Sequence, residues 1–282
     1  MPEIPKVLFA HSNIAIARLI SGGNPLCGNS HFTEAMNAEM REYFTEQNVL
    51  DYMHRLEKAG INTILARGDF HRIMYWLEIF KREGGKLFWI AQTASEMADV
   101  HSNIRVIAAA GAIGIYHHGT KTDNLWLAGK IDVVKDYLKS IRDTGVQVGL
   151  GTHIPEVIKY AEEKNWDVDF YMCCLYNINR HKRESVLVSD VPVDSAEEFR
   201  KDDPDRMFKT IKQIKKMCLA FKILGAGRSC GSQEEVQTAF KRTFAAIKPA
   251  DAIVVGMFPK YLDQISLNAE YAKRFAADRD AF

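Results

Sequence analysis

Short apolar runs alternate along the chain with longer segments that place apolar residues on one face. The apolar runs are Arg18 to Gly23, Ile61 to Ala66, Lys86 to Gln92, Ala112 to Tyr116, Val146 to Leu150, Asp169 to Leu175, Cys218 to Leu224 and Asp251 to Val255. Each has the length of a strand and is apolar at nearly every position, as a strand covered on both faces must be. Between them, 47–59 reads as a helix ended by Gly60, 71–82 as a helix ended by Gly84-Gly85, and 131–143 as a helix. Pro155 suits the first turn of another helix, and a last helix runs to about Arg274.

Eight strands alternating with helices predict parallel β-α-β units. Eight regular units in 282 residues favour closure into a single-domain (β/α)8 TIM barrel spanning 1–282. The rival is an open dinucleotide-binding sheet. It needs a GxGxxG turn after the first strand, and GGNPLCG does not spell one. Two connections exceed the minimum: Asn24 to about Thr45, and the charge-rich Asn177 to about Asp203. Both follow a strand, which puts them at the C-terminal face where barrels keep their sites.

Composition narrows the class. Lys and Arg total 37 against 36 Asp and Glu, so the chain has no charge excess with which to attract nucleic acid or a membrane surface. No apolar run is long enough to span a bilayer, and the N-terminal residues lack the pattern of a secretory signal. Five cysteines, an odd number with Cys173 and Cys174 adjacent, suit free thiols in a reducing cytoplasm. The expected partner is a small-molecule substrate.

Candidate chemistry gathers at the predicted strand ends. These carry Asn24, then Arg67, Asp69 and His71, then His117 and His118, then His153, then Tyr176 and Asn177. Imidazoles and a carboxylate on one rim suit proton transfer near neutral pH or a divalent metal such as Zn, Mn or Fe. Asp69, His71, His117 and His153 form the expected metal set. His118 is expected to be the odd one out, because adjacent strand residues face opposite ways. Each histidine also has a purely structural alternative, a hydrogen bond to loop backbone. Lys222, inside an apolar strand, is a candidate base if it points inward. Gly225 to Arg228 (GAGR) can offer backbone N–H groups to an anion, with Gly225 and Gly227 shaping the turn and Arg228 adding charge; the alternative is a tight turn.

In this order of segments the chain resembles the aldo/keto reductase superfamily. PKVLFAHSNIAIARLISGGNPLCG resembles its N-terminal hairpin and first strand, AGINTILARGD its second-strand segment, and IGIYHHG its fourth. VGLGTHIPEVI, DFYMCCLYN, LAFKILGAGR and VVGMFPKYLDQISLNA resemble its segments from strand five to the end. The resemblance implies an N-terminal hairpin on a barrel and an NADPH site. It also implies a catalytic set that this chain largely replaces. The family's Asp falls on Leu65, its Tyr on Phe70 and its Lys near Thr93; the histidine is kept as His117 or His118. At the nucleotide contacts Gly151-Thr152 and Cys173 stand where the family has Ser-Asn and Gln, and Lys260 is the one evident basic group.

Three expectations follow. The first is an enzyme of lyase, isomerase or hydrolase type, acting on a small sugar-like or oxo substrate through the His/Asp centre, with weak or no NADPH affinity. The second is an NAD(P)H-dependent reductase with a shifted proton donor such as His117. The third is a non-catalytic barrel that binds a small molecule.

Overall fold

The computed structural model describes residues 3–69, 72–95, 97–182 and 197–277. A hairpin of β1 (Lys6–Leu8) and β2 (Ala15–Ala17) precedes eight strands. These are β3 (Leu19–Gly22), β4 (Thr63–Arg67), β5 (Phe88–Gln92), β6 (Gly114–His117), β7 (Gln147–Thr152), β8 (Phe170–Cys174), β9 (Met217–Phe221) and β10 (Ala252–Gly256). Each pairs in parallel with its neighbour, and β10 pairs with β3 (Val254 opposite Ile20), closing the ring. The chain is therefore a (β/α)8 barrel with an N-terminal hairpin, and the open-sheet alternative is excluded. All eight predicted strands lie within two or three residues of their observed bounds.

The described helices are α1 (Glu34–Tyr43), α2 (Glu46–Ala59), α3 (Ile73–Arg82), α4 (Val100–Ala109), α5 (Gly119–Leu127), α6 (Val134–Arg142), α7 (Pro155–Glu163), α8 (Asp203–Gln213), α9 (Gln233–Ala246) and α10 (Gln264–Ala276). Their ends follow local chemistry. The Thr45 hydroxyl accepts the Asn48 N–H at the start of α2, and Gly60 closes it at φ 86°. Ser232 and Asp263 cap α9 and α10 in the same way.

Strand alternation sorts the core into two layers. Leu19, Ile64, Ala66, Tyr171 and Cys173 face the helices, while Ile20, Leu65, Ile90, Tyr116, Phe170 and Met172 fill the barrel. Phe9, fully buried, drops from the hairpin into the N-terminal end of the barrel and meets Phe170 at 5.0 Å between ring centroids. Gly114 and Gly149 leave room for these rings: a Cβ on Gly149 would lie 2.4 Å from the Phe170 ring. The barrel is thus plugged at one end, which leaves its C-terminal end as the place for a cavity. Ring closure is reinforced by Arg18, buried just before β3. Its guanidinium donates to the carbonyls of Asp251 (2.9 Å), Ala276 (2.8 Å) and Lys248 (3.1 Å).

Of the two long segments, the first contains a 3-10 turn (Pro25–Cys27) and α1, capped by Thr33. The pattern missed α1 because it buries little, chiefly Asn37 and Met40, and so shows no apolar stripe. The second holds residues 183–196, which lie outside the described residues, as do Phe70 and His71.

Candidate active site

A cavity of about 520 Å³ opens at the C-terminal face. Its floor follows from the strand phase. Two residues beyond the inward Leu65, Ile90 and Tyr116 come Arg67, Gln92 and His118, and His153 follows β7 in the same phase; all four line the cavity. Four consecutive strands, β4 to β7, therefore deliver a polar side chain each. The facing wall, from β8 to β10, is apolar, with Met172, Phe221 and Val254. Tyr116 donates its hydroxyl proton to Gln92 Oε1 (3.0 Å), and burial holds its pKa above the usual phenol range.

His153 is the best-organised group on this floor. Its Nδ1 lies 2.6 Å from Oδ2 of Asp123, whose side chain is fully buried. Asp123 also accepts the Thr152 hydroxyl proton and the His153 backbone N–H (3.1 Å). The carboxylate comes from α5, a helix the sequence pattern did not reveal. The helix starts at Gly119 directly against the imidazole, where a Cβ would lie 3.3 Å from His153 Cε1. An ionised carboxylate only accepts, which pairs it with the Nδ1–H tautomer of the imidazole. The Phe221 ring stands 5.8 Å from the imidazole.

The two adjacent histidines take positions opposite to those expected. Tyr116 faces the barrel interior, so His117 faces the helices. Its ring stacks on Tyr137 of α6 (5.0 Å, 18° between planes), and its Nδ1 meets the Thr122 hydroxyl at 2.8 Å. Burial, helped by Lys121, pushes its pKa down to about 3. His118, at the start of α5, lines the cavity, with its backbone N–H donated to Thr93 Oγ1 (3.1 Å). The assignment of His117 to the centre and His118 to its margin is thereby corrected: a one-residue difference in strand phase exchanges inside and outside.

The described members of the expected metal set are not brought together. His117 is in the helical layer, Asp69 stands beside Arg67 (3.7 Å), and His71 lies outside the described residues. Among the described residues no group of three His, Cys, Asp or Glu side chains is placed to share an ion.

The remaining candidates divide. Asn24, Arg67, Lys222 and Gly227 line the cavity. Lys222 does so from a left-handed backbone position, φ 58°. Three of the four N–H groups of GAGR are taken up within the turn itself. The N–H groups of Gly225, Gly227, Arg228 and Ser229 donate to the carbonyls of Lys222, Leu224, Gly225 and Leu224. Tyr176, Asn177, Gly225 and Arg228 stand behind the cavity and secure its loops. The Tyr176 ring packs 5.1 Å from Phe199, and the Asn177 N–H donates to Asp203, itself ion-paired with Arg180. The Arg228 guanidinium lies 3.8 Å from the Phe199 ring centroid and donates to the carbonyl of His31 (3.1 Å). His31, which also lines the cavity, went unremarked in the sequence because it is far from any strand end.

No family model matches the chain, and no curated protein matches it by sequence. Among solved structures the barrel superposes on an aldo-keto reductase of Bacillus halodurans in its holo form. The TM-score is 0.56 at 11% identity, covering 95% of this chain and 90% of that one. A glycerol dehydrogenase of Gluconobacter oxydans gives 0.54 at 10% identity, covering 96% and 90%. A phospho-2-dehydro-3-deoxyheptonate aldolase (DAHP synthase) of Thermotoga maritima gives 0.54 at 11% identity, covering 96% and 72%. Identities this low establish the fold alone, and the site has to be argued from its own residues.

Proposed function

We propose that this chain is an acid–base enzyme of the isomerase or lyase class, acting on a small sugar-like substrate at the carbon next to its carbonyl. The observation that carries this reading is the 2.6 Å contact between His153 Nδ1 and the buried Asp123 carboxylate, on a residue that lines the cavity. A histidine whose far nitrogen is fixed by a carboxylate keeps one tautomer and one orientation, and it is stabilised when it becomes an imidazolium. Such a group removes a proton from substrate at Nε2. Arg67, His118 and Lys222 border the same space, where cationic or N–H donors stabilise the oxygen on which negative charge develops. No step in this scheme passes through a metal ion. The partner is a small molecule, not nucleic acid or a membrane; no described helix is long and apolar enough to cross one.

A second reading, an NAD(P)H-dependent carbonyl reductase related to the aldo/keto reductases, is favoured by one feature. The cavity continues over the β9 and β10 loops, past Gly227, Gln233, Gln264 and Asn268. In that case the proton donor is His118, since His117 faces away. Against it, Leu65 is part of the apolar barrel core, and the Thr93 hydroxyl is committed to Ser95 Oγ (2.7 Å) and the His118 N–H. The two positions that the resemblance gives to Asp and Lys thus hold nothing that would tune a proton donor.

One experiment separates the readings. The protein is incubated in D2O with D-fructose and D-psicose, with and without NADPH, and followed by 1H NMR. Cofactor-independent replacement of the C3 hydrogen by deuterium is the expected result. NADPH-dependent reduction to the polyol without exchange would overturn the acid–base reading in favour of the reductase.

A further inference from the structure

The order of strands divides the cavity into unlike halves. Arg67, Gln92, His118 and His153 come from the arc β4 to β7. On the other side of the ring β9, β10 and β3 are consecutive neighbours. The segments that follow these three strands meet. Tyr43 of α1 packs edge-on against Phe258 (5.4 Å), and Glu39 accepts from Lys260 (2.7 Å). His31 ties the segment after β3 to the one after β8, with Nδ1 2.7 Å from Glu197 Oε1. Together they line the cavity with Met36 and Met40 of α1, Leu224, Val236 of α9, Phe258 and Leu267 of α10. Leu262, 43% exposed, continues this apolar wall to the solvent.

Charge is kept out of this half. From Leu224 to Asn268 no described residue lining the cavity is charged. Three amides lie among them, and two are in use: Gln264 Oε1 accepts the Phe258 N–H (2.8 Å), and Gln233 Oε1 accepts the Tyr271 hydroxyl proton (2.9 Å). Two helices begin here, α9 at Gln233 and α10 at Gln264. A helix start attracts an anion through its open N–H groups. Each of these already carries carboxylates of its own. Glu234 and Glu235 occupy the first turn of α9, where Ser232 accepts the Glu235 N–H and Glu235 accepts the Gly231 N–H (3.0 Å). Asp263 caps α10, accepting the Ser266 N–H (3.2 Å). A phosphate placed against either would meet like charge.

Size points the same way. The cavity of about 520 Å³ is in the range of about 300–1,000 Å³ that takes a drug-sized ligand. A free hexose with its hydroxyls on the β4–β7 side leaves the apolar half without a partner.

Resting on the acid–base reading above, we infer that the substrate is an aryl-substituted keto sugar. Its polyhydroxy ketone end lies on the β4–β7 side, and a neutral aromatic group fills the apolar half. The thioethers of Met36 and Met40 and the ring of Phe258 suit an aromatic ring better than a flexible chain. A free ketose supplies only the reacting end and binds as a weaker analogue. Burying a phenyl-sized group strengthens binding by about 10- to 100-fold.

Isothermal titration calorimetry tests this without any turnover, with D-fructose, 6-O-benzyl-D-fructose, D-fructose 6-phosphate and NADPH as probes. The benzyl ether is expected to bind at least 10-fold more tightly than D-fructose, and the phosphate no more tightly than D-fructose. Leu267→Asp and Met36→Glu, both at half-buried positions, should bring the ratio of benzyl-ether to D-fructose affinity close to one, with circular dichroism reporting whether each variant is folded. A benzyl ether that binds no better than D-fructose, tighter binding of the phosphate, displacement of the benzyl ether by NADPH, or a wild-type ratio in either folded variant overturns the aryl assignment. Deuterium exchange at C3 judges the acid–base reading separately. Preference for the benzyl ether without exchange overturns the base and leaves the apolar subsite standing; exchange without that preference does the reverse.

Discussion

Replacing Asp123 by Asn tests the core of the site with almost no change of shape. Asp123 offers two carboxylate oxygens to three donors: the Thr152 hydroxyl, the His153 backbone N–H at 3.1 Å and His153 Nδ1 at 2.6 Å. Asn offers one oxygen and one NH2 group, so at least one donor meets a donor. Losing a charge-assisted bond and leaving a buried group unsatisfied costs about 3 kcal/mol together. In a chain of this size that lowers Tm by roughly 6–12 °C. The imidazole can escape part of this cost by changing tautomer, so that Nδ1 accepts from the new amide. The proton then sits on Nε2, where a base needs a lone pair. Both outcomes lower the C3 exchange rate, by about 100-fold to 10,000-fold on the usual scale of general-base catalysis. Thermal unfolding by circular dichroism and deuterium exchange by 1H NMR measure the two effects separately. A variant that exchanges within threefold of wild type would refute the claim that Asp123 organises a catalytic base.

His117→Gln should leave exchange within a few-fold of wild type but destabilise the fold by about 2–3 kcal/mol, since it removes a buried ring stacked on Tyr137. The same residue sets an acid dependence. The folded-state pKa of about 3 lies below the ordinary value of 6.5 because burial disfavours the cation, so the unfolded chain binds more protons between those values. Its contribution is complete above pH 6.5 and is lost as pH falls toward 3, a change of order 4 kcal/mol, and urea titrations across this range should be flatter for the variant. Arg18→Met should cost about 3 kcal/mol or more, because three carbonyls lose a buried charged donor where β10 closes on β3, measurable as a lower urea midpoint. Gly149→Ala should destabilise by roughly 1–3 kcal/mol through overpacking against Phe170 and Tyr116, and a Tm equal to wild type would contradict the packing described for the plugged end.

The barrel was legible in the sequence because its strands are apolar on both faces and evenly spaced, a signal that survives without any catalytic motif. That Arg67, His118, His153 and Lys222 line the cavity was legible because the rule that barrel sites lie at strand C-termini is topological. The errors came from finer physics. His117 and His118 were interchanged because run length does not reveal which of two neighbours a strand turns inward. Asp123 was missed because it sits inside α5, where buried Thr122, Asp123 and Asn124 mask the helical pattern. The His31–Glu197 pair joins residues 166 apart, and no local pattern could connect them. In GAGR the N–H groups of Gly225, Gly227 and Arg228 bond within the turn, which a glycine-rich sequence does not reveal.

The most direct test of the central claim compares wild type with His153→Gln in D2O, with D-fructose and D-psicose supplied separately and no cofactor added. The account predicts cofactor-independent C3 deuterium exchange by wild type, and its loss by at least 100-fold in a variant that keeps the wild-type circular dichroism spectrum. Exchange of both ketoses at wild-type rates by the folded variant would contradict it.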